Sequence, residues 1–166
     1  MIQLYFFEKR RREEIVPGAI REYAGRNCDI LKTDNGKPYI EGDPFFISLS
    51  HSGNLCTLAV SPINVGIDTE IIRDANFNAV LSSFSAQERK EIKCPRDFFM
   101  HWTAREAYVK FCGEKIWDLL KKLNFTGGRL YLSGLPVPQK ISFCFENGAV
   151  TAICADNADF EIKTLQ

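Results

Sequence analysis

The chain has 166 residues, with 21 basic and 21 acidic side chains, 45% apolar residues and 13 phenylalanines. That length suits one compact domain of roughly 100–200 residues, so residues 1–166 are expected to fold as a single unit, and the apolar content excludes a disordered chain. The balanced charge excludes an overall pull toward nucleic acid or an acidic membrane, so any bound anion must be held locally.

Ile2 to Phe7 reads as a strand. Arg10 to Gly25 reads as a helix in which Pro17 falls mid-pattern, which places the helix start near that residue. The run Lys9-Arg10-Arg11-Arg12 suits either a phosphate contact or a solvated helix start before Glu13 and Glu14. Asn35-Gly36 marks a turn, and Pro38 keeps Lys37 out of helix, so Lys37 is presented on an extended loop. Phe45 to Ser52 and Leu55 to Ser61 read as a hairpin broken at Gly53, and Val65 to Ile72 as the strand that follows the Pro62 turn. A helical pattern spans Ala75 to Glu91, with Ser85-Ala86-Gln87-Glu88 resembling a capping box. Pro95 and Asp97 lead into a long helix from Phe98 to Cys112. Arg129 to Leu132, Lys140 to Phe145 and Ala149 to Ala155 are strand-like, the last two joined by the hairpin dipeptide Asn147-Gly148. The predicted class is α+β with mainly antiparallel strands.

Six scattered cysteines lack a C-x-x-C pair or a nearby histidine, which disfavours zinc, and they are expected to be buried free thiols. The apolar start, Met1 to Phe7, is too short for a signal sequence. No run reaches the roughly 20 apolar residues of a membrane span, so the cytoplasm is the expected compartment.

The chemistry concentrates in two segments. In Asn64 to Glu70 the strand alternation places Gly66, Asp68 and Glu70 on one face and Val65, Ile67 and Thr69 on the other. Two acids one repeat apart can grip one cation. On the later helix Phe98, Trp102 and Val109 mark a buried stripe, Glu106 lies at its edge, and Lys110 is the neighbour of Glu106 four residues on. Alone, Glu106 and Lys110 read equally as a surface pair worth about 0.3–0.5 kcal/mol. Together with Asp68, Glu70 and the hydroxyls and imidazole of Ser50-His51-Ser52, they suit Mg²⁺ bound with phosphate oxygens. His101 falls on the opposite side and is expected to be exposed. Phe77, Phe84 and Ala79-Val80-Leu81 suit either an apolar docking surface or simple core packing. The carboxylates alone equally permit a Mg²⁺-dependent phosphodiesterase or a non-catalytic binding module.

Val65-Gly66-Ile67-Asp68-Thr69-Glu70 resembles the G-I/V-D-x-E motif of the 4′-phosphopantetheinyl transferases. Trp102 to Lys110 (W-T-A-R-E-A-Y-V-K) resembles their W-S/T/C-x-K-E-A/S-x-x-K motif, and Gly36-Lys37-Pro38 and Ser50-His51-Ser52 are similar to the family's G-K-P and S-H-S segments. The four occur in the family's order, and the presence of G-K-P and S-H-S ahead of the acidic motif resembles its long, surfactin-synthetase-activating type. The resemblance implies a monomeric pseudodimer with halves near 1–62 and 63–166, long helices packed on antiparallel sheets, and transfer of the phosphopantetheine arm of coenzyme A to a serine of an acyl or peptidyl carrier protein. It further implies Mg²⁺ held by Asp68, Glu70 and Glu106, catalysis by Asp68, Glu106 as base and Lys110 at the leaving phosphate, and coenzyme A contacts from Lys37, Pro38, Ser50, His51, Arg105 and Lys110. Arg105 stands where the family usually has lysine; it would keep phosphate contact but not transfer a proton.

Overall fold

Both faces of the first strand are buried, and this sets the layering. A computed structural model describes residues 1–74, 76–114 and 119–165. In β1 (Ile2–Glu8), Tyr5 and Phe7 pack with Ile15, Val16, Ala19 and Ile20 of helix α1 (Arg12–Ala24). Ile2 and Leu4, on the other face, pack against Val65, Ile67, Ile153 and Ala155. A single turn of 3₁₀ helix, Lys9–Arg11, precedes α1.

The chain continues through the small hairpin β2 (Ile30–Lys32) and β3 (Pro38–Ile40) to β4 (Phe46–Ser52), β5 (Leu55–Ser61) and β6 (Gly66–Ile71). Two short helices, α2 (Asn78–Leu81) and α3 (Ala86–Glu91), lead to α4 (Pro95–Cys112). Then come β7 (Leu123–Thr126), β8 (Arg129–Leu132), β9 (Leu135–Pro136), β10 (Lys140–Glu146), β11 (Ala149–Ala155) and β12 (Phe160–Lys163). One main sheet has the order β12-β1-β5-β4 and the other β10-β11-β6, while β7-β8-β9 and β2-β3 are small accessory sheets. The class is α+β, with α1 and α4 as the outer layers over two facing sheets.

The two main sheets share one connection pattern. β1, then α1, then the hairpin β4-β5 pairs back so that β5 lies antiparallel beside β1. β6, then α4, then the hairpin β10-β11 does the same, with β11 beside β6. The β10-β11 turn places both Asn147 (φ 53°) and Gly148 (φ 72°) in the left-handed region, as a tight two-residue hairpin requires.

Several sequence expectations are corrected. α1 runs straight through Pro17 instead of starting there, because the face holding Ile15, Val16, Ala19 and Ile20 is fully packed and outweighs one missing helical hydrogen bond. Ala75 lies outside the described residues, and the rest of the expected Ala75 to Glu91 helix is two pieces, the second opened by the Ser85–Glu88 capping box. α4 is buried on nearly every side instead of along one stripe. His101 is buried, not exposed, because α3 and β7 cover it: it lies between Glu88 and Glu91 and meets the edge of Phe125. All six cysteines are free, but Cys94 and Cys112 are exposed. Phe84 is core, and Phe77 stacks on Phe98 at 3.9 Å. Strand β12, parallel to β1, was not expected at all. Among the described residues no helix is long and apolar enough to cross a membrane.

α4 crosses β6 closest at Gly66. A β-carbon there would stand 2.1 Å from the Ala107 carbonyl oxygen and 2.3 Å from the Phe111 nitrogen, both backbone atoms that cannot swing aside. Gly66→Ala is therefore expected to destabilise the fold by about 3 kcal/mol or more. Urea denaturation measures this, with Gly148→Ala, which meets no neighbour but has a positive φ, as the comparison.

Candidate active site

The strand alternation brings Asp68 and Glu70 to the α4 side of β6, on the face of Gly66. Their cross-strand partners, Ala152 and Val150, are apolar, so the partner strand offers these acids no charge. Compensation comes from β4 instead. Ser50 Oγ donates to Asp68 Oδ1 at 2.9 Å, and Ser52 Oγ donates to Glu70 Oε2 at 2.7 Å. Each hydroxyl also accepts a backbone N–H from β6, Thr69 N at 3.0 Å and Ile71 N at 3.1 Å. Ser48 adds a third rung, accepting Ile67 N at 3.0 Å.

From α4, Lys110 Nζ donates to Asp68 Oδ1 at 2.8 Å and to Ser50 Oγ at 3.1 Å. Glu106, one turn earlier, is only 5% exposed. Burial, and then the neighbouring Asp68, pushes its carboxyl up to about 8, against the opposing pull of Lys110. Burial likewise raises Asp68, although Lys110 and Ser50 favour its charged form. Asp68 Oδ2 is buried without a hydrogen-bond partner among the described residues. Glu70 is held less deeply, with Arg73 Nη1 at 3.3 Å from Oε2.

A cleft of about 370 Å³ opens beside Ser50. His51 and Pro38 line it, as do Arg12 and Lys32, two cations that no motif singled out. Strand alternation points the His51 side chain away from those of Ser50 and Ser52, although Ser50 and His51 both border the cleft. Arg12 is separated from the rest of its basic run: Arg10 pairs with Glu8 and Arg11 with Glu14, both at the surface. Lys37 borders a second recess together with Lys110. Its ammonium donates to Asn64 Oδ1 at 2.7 Å and to the Phe111 carbonyl at 2.8 Å, where it meets one of the unpaired carbonyls at the C-terminal end of α4. Burial lowers its pKa.

Arg105 is not brought to this cluster. It is 1% exposed, donates to the Leu120 carbonyl, and stacks at 4.4 Å over the Phe84 ring. Successive helix residues point about 100° apart, so with Glu106 turned toward β6, Arg105 must enter the interior. Of the residues expected at coenzyme A, Arg105 thus lies on the side of α4 away from Asp68.

The sequence profile of the 4′-phosphopantetheinyl transferase superfamily matches residues 64–154, more than half of the chain and the stretch that holds Asp68, Glu70, Glu106 and Lys110. The chain belongs to that superfamily. It is 35% identical over 95 residues to the 4′-phosphopantetheinyl transferase psf-1 of Bacillus pumilus, covering 52% of this chain and 41% of that protein. It is 30% identical over 136 residues to the 4′-phosphopantetheinyl transferase AcpT of Salmonella typhi, covering 76% and 66%. A 4′-phosphopantetheinyl transferase of Bacillus subtilis is 28% identical over 151 residues, covering 79% and 66%. The chain thus spans about two fifths to two thirds of the length of these relatives.

The site residues can be tested against the divalent cation that membership of the superfamily implies. As the side chains stand, no cluster of three His, Cys, Asp or Glu among the described residues is gathered closely enough to hold an ion. The donor chemistry nonetheless fits a hard cation. Asp68, Glu70 and Glu106 offer oxygen only, Asp68 Oδ2 is an orphaned buried acceptor, and Lys110 supplies the positive charge now lying against Oδ1.

The buried Glu106 has a stability consequence. Its folded pKa lies above that of the unfolded chain, so the folded state binds the extra proton, and stability falls as pH climbs from the ordinary glutamate range toward about 8. Glu106→Gln removes that slope. In chelator-treated protein the melting temperature of the variant is expected to gain on the parent steadily between pH 5 and pH 8; a difference independent of pH would contradict the assignment.

Proposed function

We propose that this chain transfers the 4′-phosphopantetheine arm of coenzyme A to a serine hydroxyl of an acyl or peptidyl carrier protein, releasing 3′,5′-ADP. The observation that carries the reading is the meeting of Asp68, Glu106 and Lys110, with Glu70 beside them, where β6 faces α4 in a superfamily member. In the reaction the serine oxygen attacks the phosphorus that bears the pantetheine arm. The bond from that phosphorus to the oxygen bridging to the nucleotide half breaks, and the serine proton is lost.

Glu106, ionised, takes that proton; it sits one helical turn from Lys110 and beside Asp68 in a nearly dry setting, where charge interactions are strong. Lys110 neutralises charge on the departing phosphate and is held toward the site by Asp68 and Ser50 until substrate arrives. Asp68, Glu70 and Glu106 would hold Mg²⁺, which when bound supplies positive charge to the pyrophosphate oxygens and favours ionised Glu106. His51, Pro38 and Ser50 line the cleft assigned to coenzyme A, with Arg12 and Lys32 adding positive charge to its wall. Lys37 reaches the phosphates only by releasing Phe111 or Asn64.

We further infer that residues 1–166 form one pseudodimeric domain with halves near 1–62 and 63–166, acting as a monomer. The repeated order of strand, helix and returning hairpin supports the two halves. Six free thiols favour a reducing compartment such as the cytoplasm.

The test is the intact mass of an apo carrier protein incubated with this protein, coenzyme A and Mg²⁺, with a chelator control. The expected result is a metal-dependent gain of one phosphopantetheine group, lost in Asp68→Ala, Glu70→Ala and Glu106→Ala while each retains the parent's circular dichroism. Release of free phosphopantetheine without a carrier, or near-normal transfer by two of the variants, would overturn the reading.

A further inference from the structure

The three serines of β4 occupy equivalent rungs, each accepting an N–H from every second residue of β6. Their hydroxyl protons are spent differently. Ser50 and Ser52 each give theirs to the carboxylate of the residue just before the N–H they accept, Asp68 and Glu70, whereas the residue in that place for Ser48 is Gly66, which has no side chain to receive one. A serine hydroxyl has one proton to give. With the backbone N–H occupying its oxygen, the direction of that proton is set by the nearest strong acceptor, so the rung both joins the sheets and fixes one oxygen of the acid.

We propose that Ser52 is a positioning residue for a divalent cation: anchored by the Ile71 N–H, its hydroxyl holds Glu70 Oε2 and so leaves the other carboxylate oxygen for the ion. The inference rests on the reading of Asp68, Glu70 and Glu106 as cation ligands. Among the described residues Glu70 Oε1 accepts no hydrogen bond, while Oε2 has two donors, Ser52 at 2.7 Å and Arg73 at 3.3 Å. Asp68 repeats the arrangement, with Oδ1 taken by Ser50 and Lys110 and Oδ2 left unpartnered. Each acid of β6 thus has one tethered and one open oxygen, which is how outer partners commonly orient carboxylate ligands. Ser52 is the cleaner member to examine, because Ser50 also touches Lys110, and its loss would disturb two groups at once.

The experiment measures Mn²⁺ binding to the full chain by electron paramagnetic resonance of the free ion, without coenzyme A or carrier. Ser52→Val and Ser52→Thr share a shape and differ in the hydroxyl alone; Ser48→Ala removes a rung that bears no carboxylate. Ser52→Val is expected to weaken Mn²⁺ binding about 10-fold or more, Ser52→Thr to stay near the parent, and Ser48→Ala to lower the melting temperature without changing the affinity. Parent-like Mn²⁺ binding by Ser52→Val, or equal weakening by Ser48→Ala, would overturn the proposal and leave the serines as glue between sheets. If Ser52→Val does not fold, Ser52→Ala is read by the same criterion. Should the parent bind no Mn²⁺ that Asp68→Ala abolishes, the assignment of the ligands itself fails, a result distinct from a failure at Ser52.

Discussion

Where β4 meets β6, three serine hydroxyls take the place of a ladder of backbone carbonyls, and the site depends on that substitution. One edge of β6 is paired with β11. On its other edge Ile67, Thr69 and Ile71 would have buried N–H groups without acceptors, at a cost of about 1–3 kcal/mol each. Had a strand supplied carbonyls, the two main sheets would be one continuous sheet. Serine side chains accept the same N–H groups and bring donors with them. The device that satisfies an edge therefore also brings counter-donors to the buried Asp68 and the half-buried Glu70. Thr69 extends the logic inward, meeting Thr57 at 2.9 Å and Thr151 at 2.8 Å, a file of hydroxyls linking β5, β6 and β11.

The second constraint is the approach of α4. Only a residue without a side chain lets the helix backbone come so near to β6, and Gly66 is that residue. The close crossing sets Glu106 and Lys110, one turn apart, over Asp68. It also produces the electrostatic tension of the site: a carboxyl pushed up to about 8 next to another raised carboxyl, with one ammonium to share. Such a group is costly for the fold, and raised acids of this kind cluster at functional sites. Stability and chemistry thus pull in opposite directions at Glu106, and the packing of α4 on nearly every side supplies the rigidity that holds it there.

Much of this was legible in the sequence because it depends on short-range regularities. Period-two alternation placed Asp68 and Glu70 on one face, the four-residue spacing joined Glu106 to Lys110, and Asn147-Gly148 and Ser85–Glu88 gave a turn and a cap their chemistry. What the sequence could not carry was long-range. The parallel pairing of β12 with β1 joins residues at opposite ends of the chain. The burial of His101 depends on α3 and β7 folding over it, and the passage of α1 through Pro17 depends on a core that only the assembled sheet provides. The serine ladder lay between these cases. Ser48, Ser50 and Ser52 alternate visibly with Ile47, Leu49 and His51, yet nothing local indicates that another strand's N–H groups would meet them. Period two alone would have warned that His51 faces away from its flanking serines.

Arg105 shows what a motif position means once geometry is known. Standing where the family motif has lysine, it is expected from the resemblance to keep a phosphate contact. On a helix adjacency separates side chains, and the same rotation that turns Glu106 to β6 turns Arg105 to Phe84 and the Leu120 carbonyl. There burial lowers its pKa against the nearby charge of Glu88, a carboxylate with no solvent exposure, and its Nε and Nη1 have no hydrogen-bond partner among the described residues. Burial works against the charge on Glu88, but contact with His101 and the N–H groups of Phe125 and Ser85 outweighs it and holds the pKa low, so the acid remains available to the guanidinium. Arg105 therefore acts on the far side of α4, joining the helix to the Leu120 carbonyl and the Phe84 ring. A planar, aromatic-stacking cation suits that interior better than an ammonium would.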